Sequence, residues 1–514
     1  MKFRILALAA CAALSCTAQA ALFGEVFDPA KFTLVEAADG TTSATYNGNA
    51  VDTVLVLSGA SASSKTLGTF VIEDNCDKST LSVLWNDAAG ANYRAYACDT
   101  KAGNIITGGT GTSGGTVGSL VVFKRDTGGS KQGVDPIYVP TKIAAMQLGA
   151  FSTTAAGGVN AANNCVATGN AASLNVPSYT CGSTVSVYPD AGTSDVEPAI
   201  ILNAINAGSG LSAVGTVTSK SIFQQMIGVG VSLTAYRALQ QAQGLTGDDA
   251  EANRPSLPSD FVASAVLGKL STSATGKRGW GLVIPTSVDA NVTTKQMNIC
   301  RRAAGSGTQA AANIYFAGNP CSTGKLAPLI ATGSLAVTGS STYVNEGSSS
   351  GAVETCLKAA DNAGAYAIGH IGRDNDVLAG TASDKKYRFV KLDGAQPEAH
   401  VDATTGQCTG ARNFAGCNDG KLGRYSYVFE STMQWNNGTP GNAAKVTLLN
   451  NIATKGFSAS ALQGNSAAVV AGVMALPSSY SGAYENLALA SANQVYGSRV
   501  SRGTSSCSPL LLAK

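Results

Sequence analysis

An α/β fold is what this sequence predicts, and three observations carry the prediction. A strand-like apolar run, a turn of small polar residues and a helix-like run follow one another in that order at several places along the 514 residues. Apolar residues make up 44 %, ample for a packed core. Charged residues make up 13 % and the net charge is +3, so nothing marks the chain as disordered or as a nucleic-acid binder.

The elements follow in order. Residues 53–57 are a β-branched run, a buried strand. It ends in Ser58-Gly59-Ala60-Ser61-Ala62, and Leu67, Phe70 and Val71 then fall at helical spacing. Cys76 and Cys98 flank residues 81–85 and 93–97, a stapled hairpin. Residues 108–115 read as a glycine-threonine loop. Residues 119–123 are a second strand, with Arg125-Asp126-Thr127-Gly128-Gly129-Ser130 as its polar turn and a short helix beyond. Residues 150–187 are small and polar and read as a decorated loop holding Cys165 and Cys181. Ser194 and Glu197 have the spacing of a capping box, followed by Ile200, Ile201, Ala204 and Ile205 at helical spacing. Asp195 then stands at a helix N-terminus, where the dipole favours a carboxylate. Residues 222–233 suit a strand crossing between lobes, and residues 257–267 a helix. Residues 346–351 form another Gly-Ser turn, before a helix at 353–360 and a strand at 366–369. Residues 425–429 suit a returning strand, and 448–457 and 484–494 suit helices.

The most informative turn is Arg301-Arg302-Ala303-Ala304-Gly305-Ser306-Gly307-Thr308-Gln309, between strand-like residues 296–300 and helix-like residues 310–316. A glycine-rich turn opening a helix exposes N–H groups that lack intrahelical partners. Those donors and the positive end of the dipole suit an oxyanion. Ser306 and Thr308 add hydroxyls, and Arg302 adds a charged fork that matches a tetrahedral oxyanion. The alternative is a solvated Gly-Ser turn with a surface arginine.

Residues 1–20 read as a secretory signal: Lys2 and Arg4, an apolar centre at 5–14, and Ala18-Gln19-Ala20 as the cleavage site, so the mature chain starts at Ala21 and is periplasmic or secreted. Leu8-Ala9-Ala10-Cys11 has the look of a lipid-attachment box, but the apolar run before it is too short for a signal core. No later stretch has the ~18 apolar residues of a membrane span. The signal holds Cys11 and Cys16, which leaves ten of twelve cysteines, an even number that suits disulfides in an exported protein. Proximity pairs Cys76 with Cys98, Cys165 with Cys181, Cys300 with Cys321 and Cys408 with Cys417. Cys356 and Cys507 are left over, and connectivity stays open. With no CxxC and two histidines, no metal or cofactor is expected. Residues 111–115 and 347–351 match a Gly-x-Ser-x-Gly elbow, but 59 glycines make chance matches common, and only His370 and His400 offer a base. No catalytic residue is therefore named, and an enzyme is not expected. Trp85, Trp280 and Trp435 are scattered and read as core; Glu346 reads as a solvated turn residue and Tyr366 as part of a core strand.

Four turns in chain order carry a resemblance: Ser58-Gly59-Ala60-Ser61-Ala62, Thr127-Gly128-Gly129-Ser130 with Lys131-Gln132-Gly133-Val134, Thr193-Ser194-Asp195, and Arg302-x-x-Gly305-Ser306-Gly307-Thr308. Together they resemble the periplasmic phosphate-binding protein of the bacterial ABC phosphate-uptake system and its secreted relatives, including the DING type. Residues 257–270 and 366–371 add similarity, and the match spans residues 54–429. The resemblance implies a two-lobed type II periplasmic-binding-protein fold with the ligand cleft between lobes: lobe 1 at 21–220 and 425–514, lobe 2 at 221–424. It implies inorganic phosphate or a similar oxyanion as ligand, an ABC permease as partner and no cofactor. By position, Ser61 and Ala62 donate from the first turn, and Thr127 stands where the family has a serine. Ser194 and Asp195 form the third turn, with Asp195 accepting the proton of a protonated phosphate. Arg302 pairs with the anion while Ser306, Gly307 and Thr308 donate. Two departures stand out: Ala62 and Ser63 replace the usual aromatic, and Ala304 replaces the acidic residue that often precedes Gly-Ser-Gly-Thr, removing a partner for Arg302. The same resemblance leaves two alternatives, a secreted surface or matrix protein that kept the fold without transport, and a phosphoester hydrolase.

Overall fold

The computed structural model describes residues 22–23, 27–69, 75–85, 93–101, 104, 118–153, 158–160, 165–171, 176–208, 210–270, 279–327, 335–339, 342–373, 375, 385–397, 419–464, 472–479 and 496–513. The signal, the elbow at 111–115, His400, Cys408, Cys417 and the helix expected at 484–494 lie outside them.

The frame is a 14-stranded mixed sheet. Its main strands are β1 (Thr53–Gly59), β2 (Ser82–Trp85), β3 (Tyr93–Asp99), β4 (Ser119–Arg125), β5 (Cys165–Ala171), β6 (Val176–Cys181), β7 (Ala191–Ser194), β8 (Val217–Ser232), β9 (Met297–Arg302), β10 (Thr342–Gly347), β11 (Ala367–Gly372) and β12 (Val428–Asn436). Their order is β5-β6-β2-β3-β4-β1-β7-β12-β8-β11-β9-β10. Two parallel blocks stand out. In one, β1 lies between β4 and β7; in the other, β9 lies between β10 and β11. The antiparallel pair β8 and β12 joins them. The first part of β8 pairs with β12, and from Ile227 to Val231 it pairs with β11, so one strand passes from block to block. This is the two-lobed α/β arrangement expected from the sequence.

The helices are α1 (Ser64–Thr69), α2 (Gly129–Tyr138), α3 (Pro198–Ile201), α4 (Leu233–Ala242), α5 (Ser259–Val266), α6 (Gly307–Ala317), α7 (Ser350–Asn362), α8 (Asn442–Lys455) and α9 (Ala459–Gly464). None among the described residues is long and apolar enough to cross a membrane. Strands of the parallel blocks are covered on both faces and therefore read as unbroken apolar runs, β1 being buried from Val54 onward. One core cluster joins Val134 of α2 and Ile200 of α3 to Ile299 of β9 and Ala310 of α6, so apolar packing continues between the two blocks. Trp280 and Trp435 are buried.

Three expectations need correction. Within 150–187, most of the described residues lie in strands rather than in a loop: Ala150–Thr153, Gly158–Asn160, Cys165–Ala171, Val176–Cys181 and Thr184–Val187. β5 and β6 form an antiparallel hairpin with Cys165 opposite Cys181, and β6 extends the main sheet beside β2. Residues Thr184–Val187 alternate exposed and buried, a period-2 signal that the abundance of small residues masks. The capping box at Ser194 does not form. Ser194 ends β7 opposite Thr432, and α3 starts at Pro198, whose missing N–H suits a first helical position. Finally, Cys300 does not pair with Cys321. Among the described residues the bridges are Cys76–Cys98, Cys165–Cys181, Cys300–Cys356 and Cys321–Cys507. Cys300 on β9 and Cys356 on α7 share one small core, whereas Cys321 lies past the end of α6, within bonding distance of the C-terminal segment.

Candidate anion-binding site

The site lies at the carboxyl ends of the parallel strands, where α/β sheets bind ligands. Each of four strands ends in a turn built for close approach. Gly59 closes β1 at φ +109°, and a Cβ there would stand 2.0 Å from the Thr193 carbonyl oxygen. The chain then makes a 3-10 turn, Ser61–Ser63, into α1. β4 runs through Asp126 and Thr127 into α2, β7 ends at Ser194 with Asp195 next in the chain, and β9 ends at Arg302 before α6. Ser306 is the N-cap of α6, its hydroxyl accepting from the Gln309 N–H at 3.5 Å.

These turns meet. The Lys131 N–H of α2 donates to the Gly305 carbonyl at 2.9 Å. A Cβ on Gly307 would fall 2.3 Å from Ser130 Oγ and 2.7 Å from Asp195 Cβ, so only glycine permits the contact between α2, Asp195 and α6. The Asp195 N–H donates to Ser130 Oγ at 3.1 Å. Thr308 Oγ1 donates to Asp195 Oδ2 at 3.3 Å. Arg302 Nη1 donates to Ser61 Oγ at 3.4 Å and to Ser350 Oγ at 3.3 Å, while Nη2 donates to the Ser348 carbonyl at 3.1 Å. Ser61, Asp195, Arg302, Gly307 and Thr308 are thus brought together, with Ser306 as the cap behind them. Ser194 accepts from the Val196 N–H within its own turn and is not tied to the cluster by its side chain. The side chain of Ala62 lies outside the described residues.

Two buried oxygens in this region, Asp195 Oδ1 and Thr127 Oγ1, have no hydrogen-bond partner among the described residues. Such an atom costs about 1–3 kcal/mol unless a water or ligand meets it, and others are scattered elsewhere in the chain. Asp195 is 4 % exposed. Burial pushes its carboxyl up, against the opposing pull of the Arg302 charge, the Thr308 hydroxyl, the Lys124 ammonium and the Thr308 N–H. Lys124 is equally buried beneath the first turn. Its ammonium donates to Asp126 Oδ1 at 2.9 Å and to the Gly59 carbonyl at 3.2 Å, and burial pushes its pKa down. Asp126 also accepts from the Ser64 hydroxyl and lies 3.7 Å from the Arg94 guanidinium.

Successive residues on a strand point to opposite faces, which separates the two arginines. Arg301 takes the Glu346 carboxylate, Nε to Oε1 at 3.0 Å, so Glu346 is an ion-pair partner rather than a plain turn residue. Arg302 faces the cluster. Sequence reading missed Lys124, and it placed Ser130 in the second turn and Ser350 in the Gly-Ser turn at 346–351 without giving either a role. The available signals were a lysine ending an apolar strand two residues before an aspartate, and a second strand–turn–helix unit at 342–362. His370 is a core imidazole, its ring 5.1 Å from that of Phe316, with its pKa pushed down to about 3 by burial and neither nitrogen hydrogen-bonded. It is not joined to a serine. Tyr366 is buried, as a core strand residue should be. A cavity of about 560 Å³ lies elsewhere, lined by Tyr138, Lys220, Ile222 and Phe457 among others, and none of the clustered residues lines it.

The chain is similar in structure to solved phosphate-binding proteins. An ABC-type phosphate transport receptor from Vibrio cholerae shares 10 % identity over 51 % of this chain and 74 % of that one, with a TM-score of 0.26. A putative phosphate ABC transporter substrate-binding protein from Clostridium perfringens, solved with bound phosphate, shares 13 % over 54 % and 78 %, with a TM-score of 0.28. The PstS protein of Borrelia burgdorferi shares 8 % over 82 % and 99 %, with a TM-score of 0.31. No family model matches the sequence, and no curated protein does.

Proposed function

We propose that this chain is an exported binding protein that captures phosphate or a similar oxyanion where the N-termini of α2 and α6 meet. The observation that carries the reading is the grouping of Arg302, Ser61 and Thr308 around Asp195, a buried carboxylate that keeps one oxygen uncommitted. A buried carboxylate repels an anion unless that anion brings a proton to share. Hydrogen phosphate has one near neutral pH and sulfate has none, so Asp195 is the selectivity element. Arg302 supplies the charge, and Ser61, Thr127 and the first N–H groups of α6 supply donors. Hydrogen bonds to a charged group contribute about 1.5–3 kcal/mol each, so a desolvated dianion needs many of them.

Calorimetric titration of the mature protein, stripped by unfolding and refolding with its disulfides intact, tests the site. Phosphate is expected to bind and sulfate to give no heat. Arg302→Ala is expected to weaken phosphate on the order of 100-fold with the far-UV spectrum unchanged. Undiminished affinity in that variant removes Arg302 from the site.

A further inference from the structure

We propose that the turn Ser348–Ser350, which opens α7, is the positioning element for Arg302, with Ser350 as its key hydroxyl. The inference rests on the reading of Arg302 as the cation for the oxyanion. β9 and β10 are adjacent parallel strands in register, with Arg302 opposite Gly347. The turn after β10 therefore begins beside Arg302. The Ala303 N–H donates to the Gly347 carbonyl at 3.0 Å, which fastens the two turns together. Two of the guanidinium's nitrogens then reach the same turn, Nη2 the Ser348 carbonyl at 3.1 Å and Nη1 the Ser350 hydroxyl at 3.3 Å. Nη1 also reaches Ser61, on the opposite side of the cluster, at 3.4 Å. The planar fork is held at both ends, and its direction is set.

The chemistry of these partners matters. The residue before Gly-Ser-Gly-Thr is Ala304, which offers Arg302 no carboxylate. The nearby acid Glu346 is taken by Arg301. A carbonyl and a hydroxyl orient the guanidinium as neutral partners, while its charge also acts on the buried Asp195 carboxylate. Ser350 is separable from the helix cap, because the Ser349 hydroxyl accepts from the Ala352 N–H at 3.2 Å and stays in place when Ser350 changes.

The test uses the full mature chain with Ser350→Ala, Ser350→Thr, Arg302→Met and the double variant Ser350→Ala with Arg302→Met. Phosphate titration is expected to show Ser350→Ala weaker by about fivefold to tenfold, with Ser350→Thr within about twofold of the native protein. Thermal melts without added anion are expected to show Ser350→Ala lowering Tm in the native background and leaving it unchanged in the Arg302→Met background. An equal Tm drop in both backgrounds, or native phosphate affinity in Ser350→Ala, overturns the proposal. If the native protein binds neither phosphate nor arsenate, the proposed function is what fails, and the melts alone decide whether Ser350 positions Arg302.

Discussion

Single side chains set what the cluster tolerates. Gly307 lies where Asp195 and Ser130 leave no room for a Cβ, and Ser130 is itself committed to the Asp195 N–H. Gly307→Ala is expected to push α6 away from Asp195 and to weaken phosphate at least about tenfold, the scale of one lost charge-assisted bond; a titration matching the native curve rejects the close contact. Asp195→Asn removes the carboxylate proposed above to discriminate against a proton-free anion. Sulfate is then expected to bind measurably, and continued silence toward sulfate argues against Asp195 as the filter. A third prediction concerns Lys421, which is buried with no hydrogen-bond partner on its ammonium among the described residues. Burial, aided by the Arg499 charge, pushes its pKa down to about 7. The unfolded chain holds that proton up to about pH 10.4, so between about 7 and 10.4 the unfolded state binds more protons and stability from this group rises with pH. Below about 7 both states are charged and the full burial penalty applies. Lys421→Met should raise Tm more at pH 6 than at pH 9.5, and an equal gain at both values refutes the shifted titration.

Elements matter through what they carry. α6 brings Thr308 and α7 brings Ser350, and each follows a strand of one parallel block. The Cys300–Cys356 bridge pins α7 onto β9, closing a separation of 56 residues. Replacing both cysteines with alanine is expected to cost about 2–4 kcal/mol of stability, read from the denaturant midpoint. Because the bridge and the Arg302 contacts act on the same pair of elements, phosphate affinity should fall as well. Lost stability with native affinity would place the bridge's role in folding alone. The helix-bearing units were legible from residue order, since residues 53–59, 119–125 and 297–302 carry their own apolar runs and turns. The hairpin of β5 and β6 was not, because small residues give weak periodicity in isolation and the pairing with β2 is supplied by a distant strand.

For the molecule as a whole, the C-terminal segment is the feature with the widest reach. Arg502 donates to the Val428 carbonyl of β12 at 2.9 Å, and its N–H donates to Glu430 at 2.9 Å. The Ser506 N–H donates to Glu197 at 2.7 Å, and Cys507 closes the bridge to Cys321, 186 residues away. One strap therefore joins the long strand pair, the segment after Asp195 and the trailing end of α6. Parting α2 from α6 would work against that strap. Exchanging Cys321 and Cys507 for serine is expected to speed amide hydrogen exchange at 307–317 and to speed phosphate release about tenfold. Unchanged exchange at those amides would mean that the strap does not restrain α6.

What was readable from residue order is local in origin. Apolar periodicity marks strands and helices through neighbours a few positions away, and a glycine-serine turn with an arginine calls for an oxyanion wherever it lies. Hence the α/β class and the strand–turn–helix order around Arg302, Ser306, Gly307 and Thr308 were visible at once, and Cys76–Cys98 and Cys165–Cys181 followed from closeness in the chain. What folding added is long-range. The partners of Arg302, the buried Lys124–Asp126 pair under the first turn, and the pairing of Cys300 with Cys356 and Cys321 with Cys507 depend on strand order and register. Those are settled by which apolar faces bury one another across the sheet, a sum over many distant contacts that no short stretch of sequence contains.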